Sequence, residues 1–488
     1  MSHKHIDMHC HPALKPYNKS FKYQPTKQND LRAGRKNSIW HYSPPNLLER
    51  SVNKILTLTK FTQTDLTALA KSGCSEVIIA LYPFEKHFFT RKVLGLKFIT
   101  DLLVNLAAGI SQKGVDHVRN HSNYFTVLEE EYDFYKQLDN QVQLINGVHY
   151  TYRIVNNYAE IRANNLLETP TKKIINIILS IEGGHSFNTG LDMLVDTANE
   201  AQVLENIQKI KQWDHTPAFV TLAHHFYNEL CGHARSISIG AIKKNQNRGL
   251  NTDITNLGHK VINALLSSTN GKPIFIDIKH MSTPSRKTYY ELLNRVYAQQ
   301  NIPIIVSHGA LNGKRSIEQW DVIDYPNRSH HFNDIDINFY DFEIKKIAAS
   351  KGIFGMQLDE RRIGSKRAVR KSKVYFPNRK KRLKKKSLLV WRQIEHIAEI
   401  LNNDGLFCWG IQTIGSDFDG IVNPIKGIWT SENIEELASA LVKHAEKYLD
   451  NETHLIKNDV INNKISAEEI IERVMHTNAI NFLETHFK

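Results

Sequence analysis

Histidine is the commonest side chain by which proteins hold transition metals, and this chain of 488 residues carries 24 of them. The stretch "HIDMHCHP" (5–12) sets His9 and His11 two residues apart at the end of a short apolar stub. Strand alternation points residues i and i+2 to one face, so both imidazoles can reach one ion while Cys10 points away. Other candidates also close apolar runs: Glu182 before Gly183-Gly184-His185, then His224-His225, His280 after "IFIDIK", His308 after "PIIVS", and Asp417 and Asp419 in "GSDFDG". Histidines with a carboxylate suit two borderline ions such as Zn2+. Glu182 has two oxygens and a charge with which to bridge them. Two ions ~3.5–4 Å apart polarise a carbonyl and lower the pKa of a shared water towards neutrality. Asp417 is a second carboxylate, able to move protons from that water to a leaving amine. In a histidine-rich chain chance placement competes with this reading. A lone His308 would be an ordinary structural histidine, and His117, His121 and His330-His331 lie in polar surroundings and read as surface residues. The joint order of His-x-His, Glu, His, His and Asp is what points to a metal site.

Such groups need elements to bring them together. Short apolar runs recur at Ile6–Met8, "SEVIIALY" (75–82), "KIINIILSIE" (173–182), "PAFVTLA" (217–223), "PIFIDI" (273–278), "PIIVS" (303–307), "GIFGMQL" (352–358) and "QTIGSD" (412–417). Near-continuous Val/Ile runs suit strands buried on both faces of a parallel sheet. Period-3.6 spacing over 190–213, 253–268, 284–299, 340–350 and 388–403 predicts helices between them. Eight β–α units predict an α/β fold, a (β/α)8 TIM barrel, with a doubly wound open sheet as the alternative. In a barrel the catalytic groups sit at the C-terminal ends of the strands, where the candidates fall. The reading is one barrel over 1–488 with long insertions: 12–60, a mostly helical 83–172, a loop at 309–336 after the sixth strand, and a basic segment at 360–386 after the seventh.

Hydrophobic content of 41% is ample for a globular core. No apolar run reaches ~18 residues, so no membrane span is expected, and no secretory signal is visible. Cys10, Cys74, Cys231 and Cys408 lack paired spacing and read as reduced thiols of a cytoplasmic protein. The formal charge is +13, but residues 366–386, "KRAVRKSKVYFPNRKKRLKKK", hold twelve Lys/Arg and no acid, which leaves +1 for the rest. Any nucleic-acid argument rests on that segment, and with Tyr375 and Phe376 as its aromatics it offers little for base stacking. A solvated face, or a lid whose field draws anionic substrates, are the competing readings.

At the metal-ligating positions the chain resembles the renal (membrane) dipeptidase family, peptidase M19-like, a branch of the amidohydrolase superfamily. "FTQTDLTALAKSGCSEVIIALY" (61–82) is similar to the family's second βα region, and "SIEGGHSF" (180–187) to its Glu-Gly-Gly-His motif. "FVTLAHHFYN" (219–228), "GLNTDITNLGHKVINALL" (249–266) leading into "IFIDIKHMS" (274–282), "IIVSHGAL" (304–311), "IGSDFDGI" (414–421) and "ISAEEIIERVMHTNAINFLE" (465–484) follow in family order. The resemblance implies a dinuclear zinc barrel. Glu182 would bridge, His280 and His308 would complete one site, His9 and His11 the other, Asp417 would handle the proton, and His224 would contact the substrate carbonyl. The family usually has His-x-Asp on the first strand. An imidazole at position 11 makes the site one unit more positive, so Asp417 is expected to move closer to the metal. An arginine after the sixth strand grips the substrate carboxylate in the family; here Arg315 and Arg328 compete for that place, and Arg361 follows the seventh strand.

These readings converge on a metal-dependent hydrolase of a small peptide or N-acyl amide, a zinc-dependent dipeptidase or amidohydrolase. It would take a small-molecule substrate and two divalent ions, zinc foremost; the resemblance allows a homodimer. The alternatives are a lactonase on a similar barrel, or a phosphoesterase, which the Glu-Gly-Gly-His and Asp-Phe-Asp-Gly blocks argue against. A further alternative is a non-catalytic barrel that binds anions or nucleic acid through residues 366–386. No Gly-x-Ser-x-Gly elbow and no phosphate loop is present.

Overall fold

A computed structural model of the chain describes all residues except 1–3, 24–34, 57–58, 91–100, 103–104, 106–107, 122, 138, 192–196, 238–239, 319–329, 375–377, 457–460 and 463. Among the described residues ten strands form one sheet: β1 (His5–Cys10), β2 (Cys74–Leu81), β3 (Gln143–Ile145), β4 (Val148–Val155), β5 (Lys172–Glu182), β6 (Phe219–Thr221), β7 (Phe275–Asp277), β8 (Ile305–Gly309), β9 (Ile353–Met356) and β10 (Gln412–Ile414). All eight apolar runs of the sequence are strands. They pair in parallel in the order β1-β2-β5-β6-β7-β8-β9-β10, and β10 returns to β1 through Asp7 and Ile414, which closes the barrel.

The alternation of the strands sorts their side chains into two cores. Val77, Ile79, Ile177, Leu179 and Val220 join helix residues such as Val203, Ile207, Val261 and Ile262 in the layer between barrel and helices. Ile78, Ile178, Phe219, Ile305 and Ile353 form a second cluster with Ala479, Phe482, Leu483 and Phe487, so the C-terminal helix Asn478–His486 packs against the interior residues. Burying such chains is worth about 2 kcal/mol each against exposure, which is why Val/Ile runs suffice to specify the barrel.

The helices Glu200–Lys211, Asn256–Leu266 and Asp341–Ala349 fall within the predicted windows, and Thr283–Arg295 begins one residue before its window. Two segments differ from the reading. The insertion 83–172 does contain the helices Gln112–Asn120 and Tyr124–Lys136, but it also holds the β3–β4 hairpin, and β4 runs parallel to the first half of β5. Asn146 (φ 50°) and Gly147 (φ 82°) make its two-residue turn, the pairing that left-handed hairpin positions favour. The basic segment is largely helical where described: Glu360–Ile363, Lys366–Lys371, and Arg379–Asn403, which starts nine residues before the predicted helix. Lys386 is buried there and donates to Glu360 at 2.6 Å. Tyr375 and Phe376 lie outside the described residues. Among the described residues no helix is long and apolar enough to cross a membrane, and the four cysteines are free and buried.

Candidate metal centre

Buried aspartates set the strand ends. Asp7 of β1 accepts from Ser416 N at 2.9 Å and Ser416 Oγ at 2.5 Å, which ties the end of β10 to β1 just below His9. Asp277 of β7 does the same for β6 and β8: it accepts from Thr221 Oγ and Ser307 Oγ, each at 2.6 Å. Burial raises both carboxyls, Asp7 to about 6, and the bonds offset that cost. Ser307 then lies 2.9 Å from His308 Nδ1, which leaves Nε2 to face the site. The ladders slip beside two of the histidines, between Asp7 and Cys10 of β1 and between Val306 and Gly309 of β8. Such irregularities re-aim side chains.

The centre is Glu182, which closes β5. Its Oε1 is 3.4 Å from His9 Nε2, 3.5 Å from His224 Nε2, 3.6 Å from His280 Nε2 and 3.5 Å from His308 Nε2. Its Oε2 is 3.1 Å from His11 Nε2. His9 and His11 thus share a face, while Cys10 packs in the helix-facing core. Asp417 reaches the same cage: Oδ1 is 3.6 Å from His11 Nε2 and 4.0 Å from His9 Nε2, and Oδ2 is 3.8 Å from His308 Nε2. Ligand atoms of His9, Glu182, His308 and Asp417 all lie within 4.8 Å of one another, as do those of His224, His225 and His280.

Backbone strain is concentrated here. His280, Asp417, Asp419 and Ile421 all have φ between 58° and 69°, a region that costs a non-glycine residue about 1 kcal/mol or more and that a branched isoleucine rarely enters. Gly183 supplies φ 96° beside Glu182, and a Cβ there would stand 2.2 Å from His185 Nδ1. Gly420 leaves room for Asp417, whose Oδ1 a Cβ would meet at 2.0 Å.

Electrostatics follow from burial and from this crowd of imidazoles. Burial opposes a charge on Glu182, but the nearby rings of His224, His9, His11 and His280 hold its carboxyl well below the usual range. Burial, with His224 and His9 as neighbours, presses His280 and His308 well down, so both are neutral donors. His11 goes the other way: against burial, Asp417 and Glu182 hold it up to about 10. The charged form of His11 thus faces both carboxylates.

Three residues in this shell carry no signal in the sequence reading. Glu85, after β2, accepts from His224 Nδ1 at 2.8 Å, from Tyr82 OH at 3.0 Å and from Phe226 N at 3.2 Å. Burial would raise Glu85, yet the charge of His224 brings it to about 2. Gln357, after β9, donates to Asp417 Oδ2 at 2.6 Å. Lys279 is fully buried beside His280 and lies 3.5 Å from Gln357 Oε1; burial first, then Arg362, lowers it to about 7. Asp419 is no part of the cage: it accepts from Lys15 Nζ at 2.6 Å and from the backbone of Gln63 and Thr64, and so pins the loop after β1.

The arginines separate. Arg315 is exposed, and its carbonyl accepts from Phe342 N. Arg328 lies outside the described residues. Arg361 clamps Asp359, with Nη2 2.6 Å from Oδ2, and also donates to Ile421 O. Arg362 donates to Ser236 O, and its charge is felt at His225 and Lys279.

The donor set fits divalent transition ions. The ring nitrogens of His9 and His11, His280 Nδ1 and Glu182 Oε1 are buried without a hydrogen-bond partner, a state that costs about 1–3 kcal/mol per group unless an ion satisfies it. Imidazoles outnumber carboxylates, which favours zinc-class over magnesium-class ions.

Two solved structures share this fold over their full length. One is the dipeptidase AC, a metallo peptidase of family M19, with a TM-score of 0.53 and 12% identity over 100% of this chain and 99% of that one. The other is a metallo peptidase from Rhodobacter sphaeroides liganded with a phosphinate mimic of the dipeptide L-Ala-D-Ala, with a TM-score of 0.54 and 11% identity over 100% of both chains. Neither a family model nor a curated protein matches the sequence.

Proposed function

We propose that the protein is a metal-dependent hydrolase of an amide bond in a small substrate, a dipeptide or an N-acyl amino acid. The observation that carries this reading is the carboxylate oxygen of Glu182 ringed by four imidazole nitrogens at 3.4–3.6 Å, with Asp417 at the rim. The barrel shared with two metallo peptidases supports it. His9, His11, Glu182, His280, His308 and Asp417 would hold a pair of divalent ions, zinc foremost. When bound, such a pair polarises a carbonyl and makes a water ionise near neutral pH.

The chain's own residues then have separable tasks. Asp417 accepts the proton of the attacking water and delivers it to the leaving nitrogen. Gln357, by donating to Oδ2, fixes which face of that carboxylate meets the water and leaves Oδ1 towards the strand-end histidines. Glu182 stays ionised throughout, because its surrounding imidazoles outweigh its burial. Arg362 holds the carboxylate of the substrate, since Arg361 is already committed to Asp359; a guanidinium suits that planar partner. The wall of β-strand ends and buried histidines keeps bulk water from the reacting carbonyl.

A panel of dipeptides, N-acyl amino acids and phosphate monoesters, assayed with the zinc-loaded protein, tests the reading. Release of amino acids from the first two classes is expected. Turnover confined to phosphate esters would replace the amide reading by a phosphoesterase, and no turnover of any class would remove it.

A further inference from the structure

Lys279 has no task in the hydrolase reading. It lies between the end of β7 and His280 and is fully buried. A buried ammonium is costly unless a carboxylate or several acceptors take its protons. Among the described residues no carboxylate pairs with it, and its one hydrogen-bond partner is the amide oxygen of Gln357, 3.5 Å from Nζ. The other end of that amide, Nε2, donates to Asp417 Oδ2 at 2.6 Å. A line of three side chains thus joins the segments that follow β7, β9 and β10.

Each member is fixed at its root. Lys279 N donates to Asp277 Oδ1 at 3.0 Å, and the same carboxylate holds Thr221 and Ser307. Gln357 N donates to Gly309 O at 2.8 Å, and Asp417 N to His9 O at 2.8 Å. With the backbones held, the freedom left is the turn of the Gln357 amide. A primary amide accepts at one end and donates at the other. Turned over, it would set its NH2 against the ammonium and its oxygen against the carboxylate. A cation at one end and an anion at the other therefore fix one orientation. The ammonium also polarises the amide and strengthens donation from Nε2. A lysine that merely balanced the charge of Glu182 and Asp417 would sit on one of them; this one reaches Asp417 only through an amide.

We propose that Lys279 is a positioning residue for Asp417, acting through the amide of Gln357. This rests on the proton role of Asp417 in the hydrolase reading. With Oδ2 taken by Gln357, Oδ1 stays towards His11, 3.6 Å from its Nε2, as the oxygen left to exchange a proton. Without Lys279 the amide loses its fixed orientation and the carboxylate its aim. The effect falls on turnover rather than on substrate affinity, because Lys279 is buried out of a substrate's reach.

Two readouts test this, one of them independent of turnover. The first is the side-chain amide of Gln357 in the zinc-loaded protein, followed by NMR with nitrogen-labelled glutamine and assigned by its absence from Gln357→Met. In wild type its two protons are expected well separated in shift and slow to exchange with water. In Lys279→Met both the separation and the protection are expected to be lost. The second is a double-mutant cycle. Lys279→Met and Gln357→Met are each expected to lower kcat by about tenfold or more, with KM and bound zinc nearly unchanged. The double variant is expected to be no slower than Gln357→Met, since Lys279 then has nothing to act on. A Gln357 amide unchanged in Lys279→Met, or a double variant whose loss is the product of the two single losses, would overturn the assignment and leave the hydrolase reading standing. Lys279→Gln, polar but uncharged, takes the same place with the same expected results if Lys279→Met does not fold. A wild type that turns over no amide would overturn the hydrolase reading, and the amide resonance would then decide whether Lys279 holds Gln357.

Discussion

At the scale of single residues the chemistry turns on what Asp417 does beside Glu182. The two carboxylates lie in one cage but are served differently. Glu182 faces imidazoles on both oxygens, whereas Asp417 has one oxygen bonded by Gln357 and the other near His11. Asp417→Asn should therefore keep the ions, because Glu182 and the histidines remain, and should lose turnover by about 100-fold or more, the usual loss when a positioned proton carrier is removed. Metal content and kcat measured on one preparation check this; a variant that turns over normally would take the proton role away from Asp417. His9, His11, Glu182, His224, His280, His308 and Asp417 were legible in the sequence because each ends an apolar run, and a barrel brings all such ends to one face. Glu85, Gln357 and Lys279 were not. Glu85 and Gln357 sit past their strands within otherwise unremarkable segments, and their meaning comes from which neighbour lies across the barrel mouth, a relation that no spacing along the chain encodes.

At the scale of elements the strands were readable and the additions less so. Val/Ile runs announce strands buried on both faces, and the register slips of β1 and β8 beside His9 and His308 are invisible in composition because they depend on pairing. The β3–β4 hairpin could have been found: Asn146-Gly147 between "QVQLI" and "VHYTYRIV" is a strong turn signal, hidden by the helical pattern of the preceding segment. The basic segment misled through its charge. Twelve cations suggest a solvated loop, yet Lys386 lies in a 25-residue helix with its ammonium on buried Glu360, which also accepts from Lys426 N at 2.9 Å. Removing one partner of a buried pair strands the other. Lys386→Ala should thus lower unfolding free energy by about 3 kcal/mol in chemical denaturation, while Lys384→Ala, at an exposed position of the same helix, should cost less than about 0.5 kcal/mol. Equal effects would mean that the helix is held without the pair.

At the scale of the whole molecule, stability and chemistry occupy opposite ends of the barrel. The helix Asn478–His486 and the apolar interior cluster lie below, and the strained, histidine-lined end lies above. His5, at the start of β1, reports on the lower end. Burial first, with the charge of His476 adding, presses it to about 4, against about 6.5 in an unfolded chain. Between those values the unfolded chain binds a proton that the fold rejects. The contribution of His5 is thus complete above pH 6.5 and is lost as pH falls towards 4, by about 1.4 kcal/mol per pH unit. With chelator present in both samples, His5→Gln should flatten the slope of stability against pH in that window; an unchanged slope would show that His5 is protonated in the fold. The central claim concerns the other end: a carboxylate at the heart of a ring of imidazoles exists to hold divalent ions. Its most direct measurement is the metal content of the purified protein and of Glu182→Gln by elemental mass spectrometry. The account predicts about two zinc-class ions per chain in wild type and their loss in the variant. A metal-free wild type that stays so after dialysis against zinc, or a Glu182→Gln protein with its full complement, would contradict it.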